Sequence, residues 1–111
     1  MTNEYFVKGK DIDELIKTHP SQVPVILTRT PGSLIPELRK KKYLVTKDIT
    51  ISQFIYFLRK LVKLRPSEAI FIFTIDKTLL SGQTKMETIY ERHKSDDSVL
   101  YITYSAENVF G

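Results

Sequence analysis

The chain has no cysteine, which removes disulfide scaffolds, thiolate metal sites and cysteine nucleophiles together. Glycine is scarce: Gly9, Gly32, Gly82 and Gly111 are all there are, and none are spaced as a phosphate-cradling loop requires. No long uncharged apolar run is present, so nothing in the sequence reads as a membrane span. The opening Met1-Thr2-Asn3-Glu4-Tyr5 is polar and acidic, and predicts no secretory or transit signal. These absences point to a cytoplasmic protein that is not a nucleotide enzyme. What remains is ordinary globular material: 111 residues, 41% hydrophobic and 27% charged, with 6 Tyr and 6 Phe, enough for one folded domain.

The net charge of +4 is unevenly spread. Arg29, Arg39, Lys40, Lys41, Lys42 and Lys47 face a single acid, Glu37, over one stretch. Such a run is either a solvated loop or a patch for an acidic partner. No aromatic-rich recognition signature accompanies it, so nucleic acid is not the expected partner.

Asp11 opens a short helix, with Ile12, Leu15 and Ile16 on one face and Pro20 closing it. Val23-Pro24-Val25-Ile26-Leu27-Thr28 reads as a strand, Pro24 being tolerated near its start or at an edge. Pro31-Gly32-Ser33 makes a turn, and Lys42-Tyr43-Leu44-Val45 returns as a second strand. Thr50-Ile51-Ser52-Gln53 is a capping box, and Ile49 with Phe54 completes a hydrophobic staple. The helix it opens carries the stripe Ile51, Phe54, Ile55, Leu58, Leu61 and Val62, and ends before Pro66. Ala69 to Thr74 predicts a strand covered on both faces, and Thr78-Leu79-Leu80 a short further strand. Thr84-Lys85-Met86-Glu87 predicts a second capping box, with Met86, Ile89, Tyr90 and His93 on one helical face. After a turn at Asp96-Asp97-Ser98, Val99 to Tyr104 is the last strand.

This order is an α+β domain with the β-grasp (ubiquitin-like) arrangement: a hairpin, a long helix laid across it, then more strands. Its first and last strands then lie side by side at the sheet centre, and the second lies at an edge. The predicted organisation is an irregular N-terminal arm over 1–10, the ubiquitin-like domain with a short N-terminal helical extension over 11–105, and a tail over 106–111. No serine sits at a nucleophile elbow, and neither His19 nor His93 has a partner at metal-ligand spacing, so both histidines read as helix-end residues. The expectation is no enzyme, no catalytic or metal residue and no cofactor.

Two features ask for more than structure. Tyr56 and Phe57 fall off the apolar stripe of the main helix, and beside that flank runs the apolar edge strand Tyr43-Leu44-Val45. An extended peptide adding a strand along 43–46 uses both, and the lysines before it would attract flanking acids. The competing reading has Phe57 packing under the C-terminal tail.

Val23-Pro24-Val25-Ile26, Lys41-Lys42-Tyr43-Leu44-Val45, Gln53-Phe54, Arg59-Lys60, Ala69-Ile70-Phe71-Ile72-Phe73, Ile89-Tyr90-Glu91, His93 and Leu100-Tyr101-Ile102-Thr103-Tyr104-Ser105 strongly resemble the GABARAP-like family of autophagy ubiquitin-like modifiers. The resemblance runs from about Asp11 to Gly111. It implies a C-terminal glycine joined to phosphatidylethanolamine by activating and conjugating enzymes, and a cysteine protease for processing and deconjugation that grips Phe110. It implies a cytoplasmic protein, monomeric before conjugation, that sits on the autophagosome membrane after lipidation and recruits receptors through aromatic-x-x-aliphatic peptides. By position, the pocket for the aromatic residue would be Asp11, Leu15, Pro24, Lys42, Leu44 and Val99. That for the aliphatic residue would be Tyr43, Val45, Ile49, Phe54 and Phe57, with Arg59 near for an acid. Leu44→Arg or Phe54→Ala is then expected to weaken peptide binding without unfolding, Leu44 being the cleaner test. The chain departs from the family at its arm Met1–Lys10, which lacks the usual amphipathic helix, and at Val99, Thr46, Leu61 and the segment 77–83. The alternative is a non-covalent β-grasp adaptor in vesicle trafficking or cytoskeleton binding, for which Gly111 is merely where the chain ends.

Overall fold

The computed structural model describes residues 12–106. The elements are α1 (Ile12–Thr18), β1 (Gln22–Arg29), β2 (Lys42–Thr46), α2 (Ile51–Leu61), β3 (Phe71–Thr74), α3 (Met86–His93) and β4 (Leu100–Ser105). The strands form one sheet in the order β2-β1-β4-β3. β1 and β4 are the central, parallel pair, from Val25↔Leu100 to Arg29↔Tyr104. β2 pairs antiparallel with β1, and β3 antiparallel with β4. The β-grasp order expected from the sequence is the one found.

Strand periodicity divides the side chains between two faces. Val23, Val25, Leu27, Tyr43, Val45, Ile72, Leu100, Ile102 and Tyr104 join Ile51, Phe54 and Leu58 of α2 and Met86, Ile89 and Tyr90 of α3 in one core. On the opposite face Ile26 and Val99 pack with Ile12 of α1, flanked by Leu15, Ile16 and Tyr101. The sheet is thus covered by helices on both sides, where the sequence reading placed one long helix over it. Pro24 fits at the start of β1: its partner Leu44 occupies a non-hydrogen-bonded pair, and the ladder to β4 begins only at Val25.

The capping box of α2 forms as expected. Thr50 Oγ1 accepts from Gln53 N–H at 3.2 Å, and Gln53 Oε1 accepts from Thr50 N–H at 2.8 Å. Three expectations are corrected. The cap of α3 is Lys85, with no side-chain cap bond. Met86 and Glu87 N–H groups donate instead to the carbonyls of Ile49 (2.8 Å) and Lys47 (3.1 Å), so the β2–α2 turn takes the place of a capping side chain. The strand expected from Ala69 begins at Phe71. The strand expected over 78–80 is only a bridge, Phe73↔Leu79, reached through a turn with Lys77 at φ 67° and held by Thr74 N–H to Thr78 carbonyl (3.0 Å) and Leu80 N–H to Ile72 carbonyl (3.4 Å).

Candidate peptide-docking site

β2 is an outer strand among the described residues, and its ladder to β1 fixes what it presents outward. Lys47 N–H donates to Ser21 carbonyl at 3.0 Å, and Leu27 N–H to Lys41 carbonyl at 2.7 Å. Antiparallel alternation then makes Val23/Val45 and Val25/Tyr43 the hydrogen-bonded pairs. The backbone N–H and C=O groups of Lys42, Leu44 and Thr46 therefore point away from β1, toward the outer edge.

The same alternation sends the side chains of β2 to two different faces. Tyr43 and Val45 enter the α2 side with Phe54, all three deep in the main core, and Ile49 packs partly buried against it. Phe57 stands at the margin of this group, 36% exposed, and beside it Tyr56 is 57% exposed. Their rings meet edge-to-face at 6.1 Å, and Lys60 Nζ lies 4.4 Å from the Tyr56 ring centre. Both aromatics therefore lie on the flank where the sequence put at least one. Lys42 and Leu44 take the opposite, α1 side, Leu44 across from Pro24, while Leu15 and Val99 belong to the α1 cluster. Asp11, Phe110 and Gly111, and with them the arm and most of the tail, lie outside the described residues. Arg59 Nη2 donates to the carbonyls of Arg65 (2.7 Å) and Pro66 (3.4 Å), which holds the chain after α2.

Burial changes the expected test. Leu44 is 1% exposed, so Leu44→Arg would force a guanidinium into a packed position and disturb the fold together with the edge. Phe54 is wholly buried, and its loss is a core deletion. Neither exchange separates binding from stability. Phe57 does, being at the surface.

Electrostatics are concentrated before β2. Glu37 meets Lys41 at 2.8 Å and Arg29 at 3.5 Å. The bond and charge of Lys41, helped by Arg29, hold its carboxyl below the usual range. Arg39 and Lys40 stand exposed beside the start of the strand. Tyr43 hydroxyl donates to Lys40 carbonyl at 2.8 Å, and burial, with a smaller contribution from Tyr104, raises its phenol above the ordinary value. His19 and His93 sit at helix ends, His93 Nδ1 being 3.7 Å from Asp76 Oδ2. Among the described residues no three metal-ligating side chains gather, and no helix is long and apolar enough to cross a membrane.

Four residues were placed in their elements by the sequence but not recognised as shaping the site or the loop beside it. Ile12 and Ile26 complete the α1 face; the alternation of β1 already put Ile26 beside Pro24, which was the available signal. Ser33 and Tyr104, which tie the β1–β2 loop to the end of β4, had no local signal because the contacts span more than 60 residues.

The family model for the Autophagy protein Atg8 ubiquitin like matches residues 7–111. Autophagy-related protein 8 of Schizosaccharomyces pombe is 50% identical over 107 residues, which is 96% of this chain and 88% of that protein. Autophagy-related protein 8e of Arabidopsis thaliana is 40% identical over 111 residues, 100% of this chain and 90% of that one. The crystal structure of Trypanosoma brucei ATG8 superposes with a TM-score of 0.80 at 37% identity, over 86% of this chain and 81% of that one. With the match running through both strands of the hairpin, the capped helix and the central parallel pair, the chain belongs to the Atg8 family of autophagy ubiquitin-like proteins.

Proposed function

We propose that the chain is an Atg8-type modifier rather than an enzyme: its C-terminal Gly111 is joined to phosphatidylethanolamine, and its β2 edge docks aromatic-x-x-aliphatic peptides of receptor proteins at the autophagosome membrane. The observation that carries the docking half is the division of β2 between two faces. In an extended peptide, side chains an odd number of residues apart point to opposite sides. An aromatic and an aliphatic residue separated by two others therefore reach the α1 side, at Leu15, Pro24, Lys42, Leu44 and Val99, and the α2 side, at Tyr43, Val45, Ile49, Phe54 and Phe57. Strand pairing along the outer edge of β2 supplies register. The exposed Arg39 and Lys40 favour acids flanking the motif.

The conjugation half rests on family membership and on the aromatic–glycine pair Phe110-Gly111, to which the family match extends. The carboxylate of Gly111 attacks ATP to give an acyl adenylate and pyrophosphate, an enzyme thiol displaces AMP, and the amine of the lipid displaces the thiol to leave an amide. Glycine suits this passage because a residue without Cβ threads narrow sites and accepts backbone angles others resist. The two acyl chains then give stable membrane anchoring, which a single chain would not. Incubation with Atg8-activating and Atg8-conjugating enzymes, ATP and phosphatidylethanolamine liposomes should yield a species that floats with the liposomes. Gly111→Ala or deletion of Gly111 should abolish it and leave peptide binding intact. A Gly111 deletion still conjugated and still membrane-bound contradicts the modifier reading and leaves the adaptor.

A further inference from the structure

The point where the tail leaves the domain is fixed by the loop between β1 and β2. Ser33, only 6% exposed, accepts at Oγ from Ala106 N–H at 3.1 Å and from Ile35 N–H at 3.4 Å. Thr30 N–H donates to Tyr104 carbonyl at 2.8 Å, and Leu38 N–H donates to Tyr104 hydroxyl at 2.9 Å. Ile35 and Leu38 anchor the loop in the core, and Gly32 makes its bend at φ 84°. Between the buried Ser33 and Ile35, Leu34 is turned outward and is 90% exposed, the most exposed large apolar side chain among the described residues.

A single exposed leucine is ordinary. Its place is what matters here: its neighbour Ser33 binds Ala106, and the residues 107–111 carry the chain from there to the carboxyl of Gly111. Fully extended, they span at most about 18 Å. Any protein that holds the carboxyl of Gly111 at the end of an extended tail therefore comes within that distance of Ala106, where Leu34 is displayed on a loop tied down at Thr30, Ser33 and Leu38. We propose that Leu34 is a docking anchor for the enzyme that takes up the tail, fitting an apolar depression beside its tail channel, and that Ser33 is a positioning residue that holds the tail's root next to it. This rests on the reading of Gly111 as the conjugation terminus.

The test is the steady-state rate of thioester formation on the Atg8-activating enzyme with ATP, using the full chain. Leu34→Ser should raise KM about tenfold, the effect of losing one well-buried apolar contact, with kcat, melting temperature and β2 peptide affinity unchanged. Ser33→Ala should raise KM several-fold and speed amide exchange at Ala106, while Ser33→Thr, which keeps a hydroxyl, should restore both. A wild-type chain that is charged while Leu34→Ser keeps the wild-type KM overturns the proposal. So does a Leu34→Ser chain whose melting temperature or peptide affinity falls with its KM, since the loop's role is then structural. A wild-type chain that forms no thioester overturns the reading of Gly111, and the proposal with it.

Discussion

Tyr104 shows how one side chain joins distant parts of this fold. Its ring lies in the main core, its hydroxyl accepts from Leu38 N–H, and at 3.4 Å it also reaches Pro36 carbonyl. Tyr104→Phe leaves the buried Leu38 N–H without its partner and should cost about 1–3 kcal/mol in denaturant unfolding. Burial raises the phenols of Tyr43, Tyr90 and Tyr104 above their ordinary value. The unfolded chain then releases these protons first, so their contribution to stability is complete below about pH 10 and is lost as pH rises through the higher folded values. Urea midpoints measured from pH 8 to 11 should fall at the alkaline end, and less steeply in Tyr104→Phe. At this scale the sequence was half legible. Leu44 and Phe54 were identified as candidates, but an apolar residue beside a groove and one beneath it look alike in a sequence. Only burial separates them.

Elements were more legible where their signals are local. The Thr50–Gln53 box forms because all its groups lie within one helical turn. The equivalent box at Thr84 does not, since Ile49 and Lys47 carbonyls, remote in sequence, already take the amides of Met86 and Glu87. Two exchanges separate these situations. Thr50→Ala should cost about 1 kcal/mol, whereas Thr84→Ala should stay within about 0.5 kcal/mol of wild type, both read from chemical denaturation. Equal losses would mean that Thr84 caps α3 after all. The overextended β3 and the missing strand at 78–80 have a related cause. Apolar composition marks residues that are buried, and Ile70 is buried in the core without being in the ladder.

For the whole molecule, element order was enough to put the first and last strands together at the sheet centre and β2 at its outside. It was not enough to show α1 closing the second face, because a seven-residue helix carries too little pattern to say which surface it covers. That closure is what gives β2 two differently lined sides. The basic approach to it, Arg39 to Lys42, acts over longer range: raising salt from about 0.05 to 0.5 M shortens screening to a few ångströms and should slow association with acidic peptides more than it speeds their release. Binding kinetics indifferent to salt would remove these residues from the docking step. The central claim, that one edge strand reads two side chains on opposite faces, is tested most directly by calorimetric titration with paired peptides. An acidic aromatic-x-x-aliphatic peptide should bind with a dissociation constant on the order of micromolar, two buried side chains giving roughly 1.5–3 kcal/mol each before ordering costs. Deleting one residue between the two puts both side chains on one face, and affinity should fall about tenfold or more. Equal affinity for the two peptides would contradict the account.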